Sequence, residues 1–295
     1  MEGLVWAGDH SGLRRPVLVA AFEGWNDAAD AASDAATWLV GQFGATRLAT
    51  IEPDGFFDFQ SRRPEVEILD GIPRAVRWPV TECFAARPPD AVRDLVVVIG
   101  VEPHYRWRSF CAAVLEVARV TRAELLVTFG ALLADVPHTR PLQLTGSAND
   151  PGLVARLGLE HSRYEGPTGI VGVLHHECRA AGMPAVSLWA PVPHYVATPP
   201  DPVATRALLD RFGALVGIPL DLYSLEHQCE EWRRRVDEVV AADADAAAYV
   251  RDLEARDEAT RSAEDVEQTT LEPASGDELA AELERYLREQ RGDAD

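Results

Sequence analysis

The 295-residue sequence contains no lysine: all 28 residues of its Lys+Arg total are arginine. That absence removes whole mechanisms, because a Schiff-base nucleophile or a pyridoxal anchor needs an amine that can lose its proton, and a P-loop needs its lysine. Lysine-dependent aldolases, transaminases and P-loop kinases are excluded. Cysteine is scarce as well. The four cysteines, at 83, 111, 178 and 229, form no CxxC pair; this argues against a zinc ribbon, a thioredoxin-type site or a disulfide scaffold and leaves reduced, mostly buried thiols as the expectation. No apolar run approaches the roughly 18 residues that span a bilayer. The N-terminal stretch MEGLVWAGDHSGLRRP lacks a basic start followed by an apolar segment, so a soluble, cytoplasmic protein is expected. Positive charge is also in deficit. A formal net charge of −20 repels nucleic-acid phosphate and anionic lipid, so neither nucleic acid nor a membrane is an expected partner. GxSxG and HExxH are both missing, and the HHEC run at 175–178 has no second half at metal-ligand spacing, so no catalytic residue, metal or cofactor is assigned.

What is present is a regular alternation. Short Val/Ile/Leu-rich runs at 16–22, 46–51, 94–101, 123–133 and 183–192 suit buried strands, and the stretches 26–42, 107–121, 168–181 and 201–216 carry apolar residues at helical spacing. The pattern predicts a three-layer α/β/α fold with a mostly parallel central sheet, residues 1–220 forming the body. The Pro- and aromatic-rich segment 52–93 reads as an antiparallel insertion or edge, with strands over 65–69 and 74–78. Beyond Pro219, apolar residues step by three and four through Leu222, Leu225, Cys229, Trp232, Val236 and Val239 to Leu253. That spacing predicts one heptad-patterned helix within 221–256, about 50 Å long, packed on the body or in an oligomer interface through Leu225, Trp232, Val236 and Val239. Residues 257–295 are expected to be a largely disordered acidic tail, with a linker over 257–276 and a short amphipathic helix over 277–290. From residue 250 onward the chain holds 15 Asp and Glu against 6 Arg, or −9 of the total −20.

Ligands of open α/β sheets bind outside the carboxyl ends of the strands. In this chain four such ends carry polar or aromatic side chains: EGWND after the first long strand, EPHYRW at 102–107, ADVPHTR at 134–140 and PVPHYV at 191–196. They define a candidate ligand or partner rim of Glu23, Trp25, Asn26, Asp27, Glu102, His104, His138, Arg140 and His194. Asn26 or Asp27 can cap the helix that follows, but capping requires neither Glu23 nor Trp25. A weaker candidate is an anion site at Thr168 and Gly169, where backbone amides open a helix.

The stretches FEGWNDAADAA (22–32), VIGVEPHYRWRSF (98–110) and LLVTFGALLADVPHTRP (125–141), the long run from Gly146 to Val196 and the heptad helix together resemble the proteasome assembly chaperone 2 family, in its actinobacterial form. The resemblance spans about residues 16 to 256 and implies an α/β/α body of phosphorylase/hydrolase-like architecture. It also implies a non-enzymatic interaction or assembly protein, self-associating, as a trimer by family analogy, with proteasome subunits as candidate partners. The family supplies no catalytic set to carry over. Archaeal relatives often dock through a C-terminal hydrophobic-Tyr-any-residue tail, whereas this sequence closes on REQRGDAD. The alternative class is a small-molecule binder or a hydrolase- or phosphorylase-like enzyme using the rim. A deep pocket lined by Glu23, Trp25 and Glu102 would favour it, and a filled rim would favour the assembly protein.

Overall fold

Strands with no polar residue need cover on both faces, and that requirement sets the architecture. The computed structural model describes residues 3–8, 11–69, 72–150, 153–154 and 165–270. At its centre β2 (Val17–Glu23), β7 (Leu95–Val101), β8 (Leu125–Ala134) and β10 (Ala185–Pro193) run parallel in the order β7-β2-β8-β10. Antiparallel strands extend the sheet to eight: β6 (Thr81–Ala86), β3 (Thr46–Ile51) and β1 (Leu4–Trp6) beyond β7, and β9 (Thr145–Ala148) beyond β10. Alternate residues of β2 serve opposite layers. Val17, Val19 and Ala21 join the core with α1 (Ala31–Gln42) and α4 (Pro202–Val216). Leu18, Ala20 and Phe22 join the other core with α2 (Trp107–Thr121) and α3 (Ile170–Ala180). Within the second core Phe110 meets Phe22 and Phe56 edge-on, at centroid separations of 5.6 and 5.5 Å. The result is the three-layer α/β/α sandwich that the sequence pattern predicts. No helix among the described residues is long and apolar enough to cross a membrane.

The insertion forms its own two-stranded sheet, β4 (Glu65–Leu69) with β5 (Ile72–Arg77), with Val66 opposite Val76. β4 and β5 touch each other far more than either touches any other element. Trp78, just past β5, stacks edge-on against Phe59 with centroids 4.9 Å apart.

The C-terminal helices depart from expectation in three ways. The single helix over 221–256 is two, α5 (Tyr223–Ala241) and α6 (Ala244–Thr270). Ala242 donates to the carbonyls of Glu238 and Val239 at 3.3 Å and Asp243 donates to Val240 at 3.2 Å, so the chain tightens to three-residue bonding just where an acid of low helix propensity stands. The compact first unit runs from Met1 to Ala244 rather than ending at 220, so α5 belongs to the body, and the second unit is Asp245–Asp295. Finally, α6 continues to Thr270 through much of the expected linker. Its ion pairs one turn apart, Arg256 with Asp252 at 2.6 Å and Arg261 with Asp257 at 2.8 Å, support a helix that apolar content alone does not announce. The helix expected over 277–290 lies outside the described residues.

On α5 the buried stripe is Leu225, Cys229, Trp232, Val236 and Val240. Val239, assigned to the seam from its spacing, is 67% exposed. The seam is therefore turned into the chain's own fold, and Leu225, Trp232 and Val236 are not a free interface.

Candidate functional site

Parallel packing brings the loops after β7, β2, β8 and β10 to one edge of the sheet, in that order. Glu102, His104, Glu23, Trp25, Asn26, Asp27, Arg140 and His194 all lie along this edge. Most of the polar groups there have bonded partners within the fold.

The EGWND turn is a latch between strands. Gly24 takes φ +121°, a backbone region L-residues rarely adopt, and the turn closes by Asp27 N–H donating to Gly24 at 3.1 Å. The Asn26 carbonyl accepts from Ala131 on β8 at 2.8 Å, and Glu23 accepts from the Glu102 amide at 2.9 Å. Asn26 Nδ2 donates to Glu102 Oε1 at 3.0 Å, and the same carboxylate oxygen accepts the Ile170 amide at 2.7 Å. Ile170 opens α3, so Glu102 itself occupies the positive helix end at which Thr168 and Gly169 were expected to hold an anion. The fit is close. A Cβ on Gly169 would collide with the Asn26 amide and stand 2.7 Å from Glu102 Oε1. Gly169 thus has its explanation in packing rather than in anion binding.

Asp27 caps α1 from a distance. Ala29 and Asp30 both have positive φ, and this left-handed corner swings the chain so that Asp27 Oδ1 accepts from Ala32 at 2.7 Å and Ser33 at 3.1 Å, while the Ser33 hydroxyl donates to Oδ2 at 2.5 Å. Burial pushes the Asp27 carboxyl up to about 6, opposed by its bonds to Ser33 and Ala32. Glu23, unexplained by capping, pairs with Arg62 and so ties the loop leading to β4 to the end of β2. Trp25 is left 64% exposed.

His138 is not at an open rim. It is buried, its Nδ1 2.8 Å from the Tyr195 hydroxyl and its Nε2 3.0 Å from Asp237 Oδ1 on α5; the same hydroxyl accepts the His138 amide at 2.8 Å. A hydroxyl already accepting that amide donates to Nδ1, which leaves Nε2–H for the carboxylate. This clasp joins the loop after β8, the turn after β10 and α5. His194 pairs with Asp135 at 3.1 Å; exposed His104 accepts the Asp58 amide at 3.3 Å through Nδ1; Arg140 is exposed and its backbone N–H reaches Pro137 at 3.4 Å. The sequence did not point to Arg62, Tyr195 or Asp237, since each is dozens of residues from its partner, although Tyr195 sits beside a histidine already singled out.

Away from this edge, all four cysteines are buried and free, with burial pushing the thiols of Cys83, Cys111 and Cys178 up to about 12. His175 lies on α3 with Nε2 3.0 Å from Thr128 Oγ1, and burial drives it down to about 4.

The fold accords with the comparisons. The PAC2 family model matches residues 21–240, from the last residues of β2 to the end of α5. The chain belongs to the PAC2 family. A PAC2 family protein from Streptomyces avermitilis is 47% identical over 80% of this chain and 99% of its own, with a TM-score of 0.75. A proteasome-assembly chaperone homologue from Mycobacterium tuberculosis is 45% identical over 79% and 99%, with a TM-score of 0.74; both relatives are actinobacterial. An archaeal proteasome activator from Pyrococcus furiosus, at 17% identity over 81% and 99% with a TM-score of 0.64, shares the fold. Among curated proteins, none matches. PAC2 membership places the protein in a chaperone-type family, and at its rim Glu23, Asn26, Asp27 and Glu102 each have a bonded partner within the fold.

Proposed function

We propose that this PAC2 protein is a cytoplasmic, non-enzymatic, self-associating assembly protein, and that it holds protein partners, proteasome subunits among them, against the carboxyl-end edge of its sheet. The observation that carries the reading is the division of labour along that edge. Its acids are engaged in internal bonds, Glu102 with Ile170 and Asn26, Glu23 with Arg62, and Asp27 with α1. Its apolar side chains face outward: Tyr105 after β7, Trp25 after β2, and Leu132 and Leu133 at the end of β8 are all exposed. An edge with bonded acids and projecting aromatic and aliphatic groups suits a protein surface, where such anchors contribute most of the affinity. Relatives described as a proteasome-assembly chaperone homologue and a proteasome activator supply the candidate partner.

The test is co-elution of the full chain with purified proteasome subunits from the same cell. Wild type is expected to form a complex, and Trp25→Asp with Leu133→Asp to lose it at unchanged melting temperature. Glu23→Gln is expected to retain it. Absence of a complex with every subunit would remove proteasome subunits as the partner.

A further inference from the structure

The amino-end edge of the sheet carries a groove, one strand length from the rim. α2 and α3 pack side by side and both end at this edge, each with a left-handed residue just past its last turn: Arg122 at φ +59° and Gly182 at φ +68°. Between them is a groove of about 580 Å³ whose walls include Leu115, Ala118, Ala123 and Met183 together with Arg119 and Arg122. Leu115, Ala118, Ala123 and Met183 also pack on the core beneath the two helices, which fixes the apolar part of the wall.

Charge around the groove is the reverse of the chain's. The sequence has 48 Asp and Glu to 28 Arg. Here, beside the neutral pair of Arg14 with buried Asp94, Arg15, Arg93, Arg119, Arg122 and Arg179 stand against Glu116, Glu124 and Glu177. Glu116 is taken by Arg119 at 2.6 Å, and Glu124, next in sequence to Ala123 of the wall, is shared by Arg15 at 3.2 Å and Arg93 at 2.9 Å. Arg122 and Arg179 are exposed and have no carboxylate partner among the described residues. Cations in a last helical turn are accounted for by the carbonyl end of the helix, so Arg119 and Arg179 need no other reason. Arg122 does. It holds the position that glycine usually takes, as Gly182 does on α3, because a Cβ is unfavourable in left-handed backbone. An arginine in that conformation points to a use for its side chain.

We propose that the groove binds an acidic peptide segment of a partner protein, with one apolar side chain seated between α2 and α3 and flanking carboxylates on Arg122, Arg179 and the two arginines that share Glu124. The occupant follows from complementarity. Apolar walls match an apolar side chain, and a guanidinium takes a carboxylate through two parallel hydrogen bonds. Positive charge spread over two helix ends and the starts of β2, β7 and β8 is matched by several carboxylates along a chain, not by the single carboxylate of a small molecule. The site lies at the opposite edge from Trp25 and Leu133 and is independent of docking there.

The test is fluorescence anisotropy of a fluorescein-labelled peptide of repeated Glu-Glu-Leu, titrated with the full chain. Saturable binding that weakens as salt is raised is expected. Arg122→Gly should lower affinity about tenfold while its melting temperature equals or exceeds that of wild type, since glycine suits the left-handed backbone. A peptide with Ser in place of Leu should bind more weakly, and Trp25→Asp with Leu133→Asp should bind the Leu peptide as wild type does. The proposal is overturned by absence of saturable binding, by full affinity in R122G, by equal affinity for the Leu and Ser peptides, or by loss of binding in the rim double variant. Equally tight binding of a single-stranded DNA oligonucleotide of the same charge overturns it too, by making the edge a general anion surface.

Discussion

At Asp27 one carboxylate does two things that oppose each other: its oxygens close the first turn of α1, and its burial makes ionisation unfavourable. With a folded value near 6 against about 3.9 for a free aspartate, the native state holds a proton in a pH range where the unfolded chain has lost it. Stability due to this group therefore grows as pH falls from 6 to 4, and is lowest above 6. Asp27→Asn keeps an oxygen for Ala32 and Ser33 and removes the charge. It is expected to raise stability by on the order of 1 kcal/mol at pH 8, with the gain vanishing by about pH 4. Melts of both proteins across that range decide it, and a gain independent of pH would refute the account. At this scale the sequence was half legible. A capping role for Asn26 or Asp27 follows from residue type and position alone. That Glu102 caps α3 does not, because the two meet only after β7 and α3 have been placed by the sheet.

Among elements, legibility tracked how much each relies on its own residues. The central strands announce themselves because burial on both faces demands continuous apolar runs, and the four sandwich helices follow from their apolar stripes. Short β1 and β9 carry no such pattern and are strands only because β3 and β10 offer them edges. The heptad reading ran through Asp243 because apolar spacing on either side stays in phase, although the backbone does not. Trp232 separates the two uses of α5. Since it lies within the fold, Trp232→Ala should cost about 3–5 kcal/mol, read as a large fall in urea midpoint, while leaving the subunit mass unaltered under native conditions. A mass change at preserved stability would return α5 to the interface.

Across the whole molecule, charge and apolar content are segregated: the sandwich takes the apolar runs, and the residues from 250 onward take nearly half of the net negative charge. Family and fold class were legible from the long motifs together with the strand and helix periods, while the state of the rim was not, because whether an acid is free or bonded depends on partners brought by topology. One consequence of the isolated hairpin can be read on a clock of deuterium uptake. Amides of β2 are bonded to two neighbours under two buried layers and open only when the whole sandwich does, so their uptake should be slowest and indifferent to protein concentration. The hairpin has no such shelter of its own. Its two strands pair with each other and carry exposed apolar side chains, so deuterium should enter residues 65–69 well before it enters β2, and the ratio of the two rates measures how much protection each sheet gives its own amides.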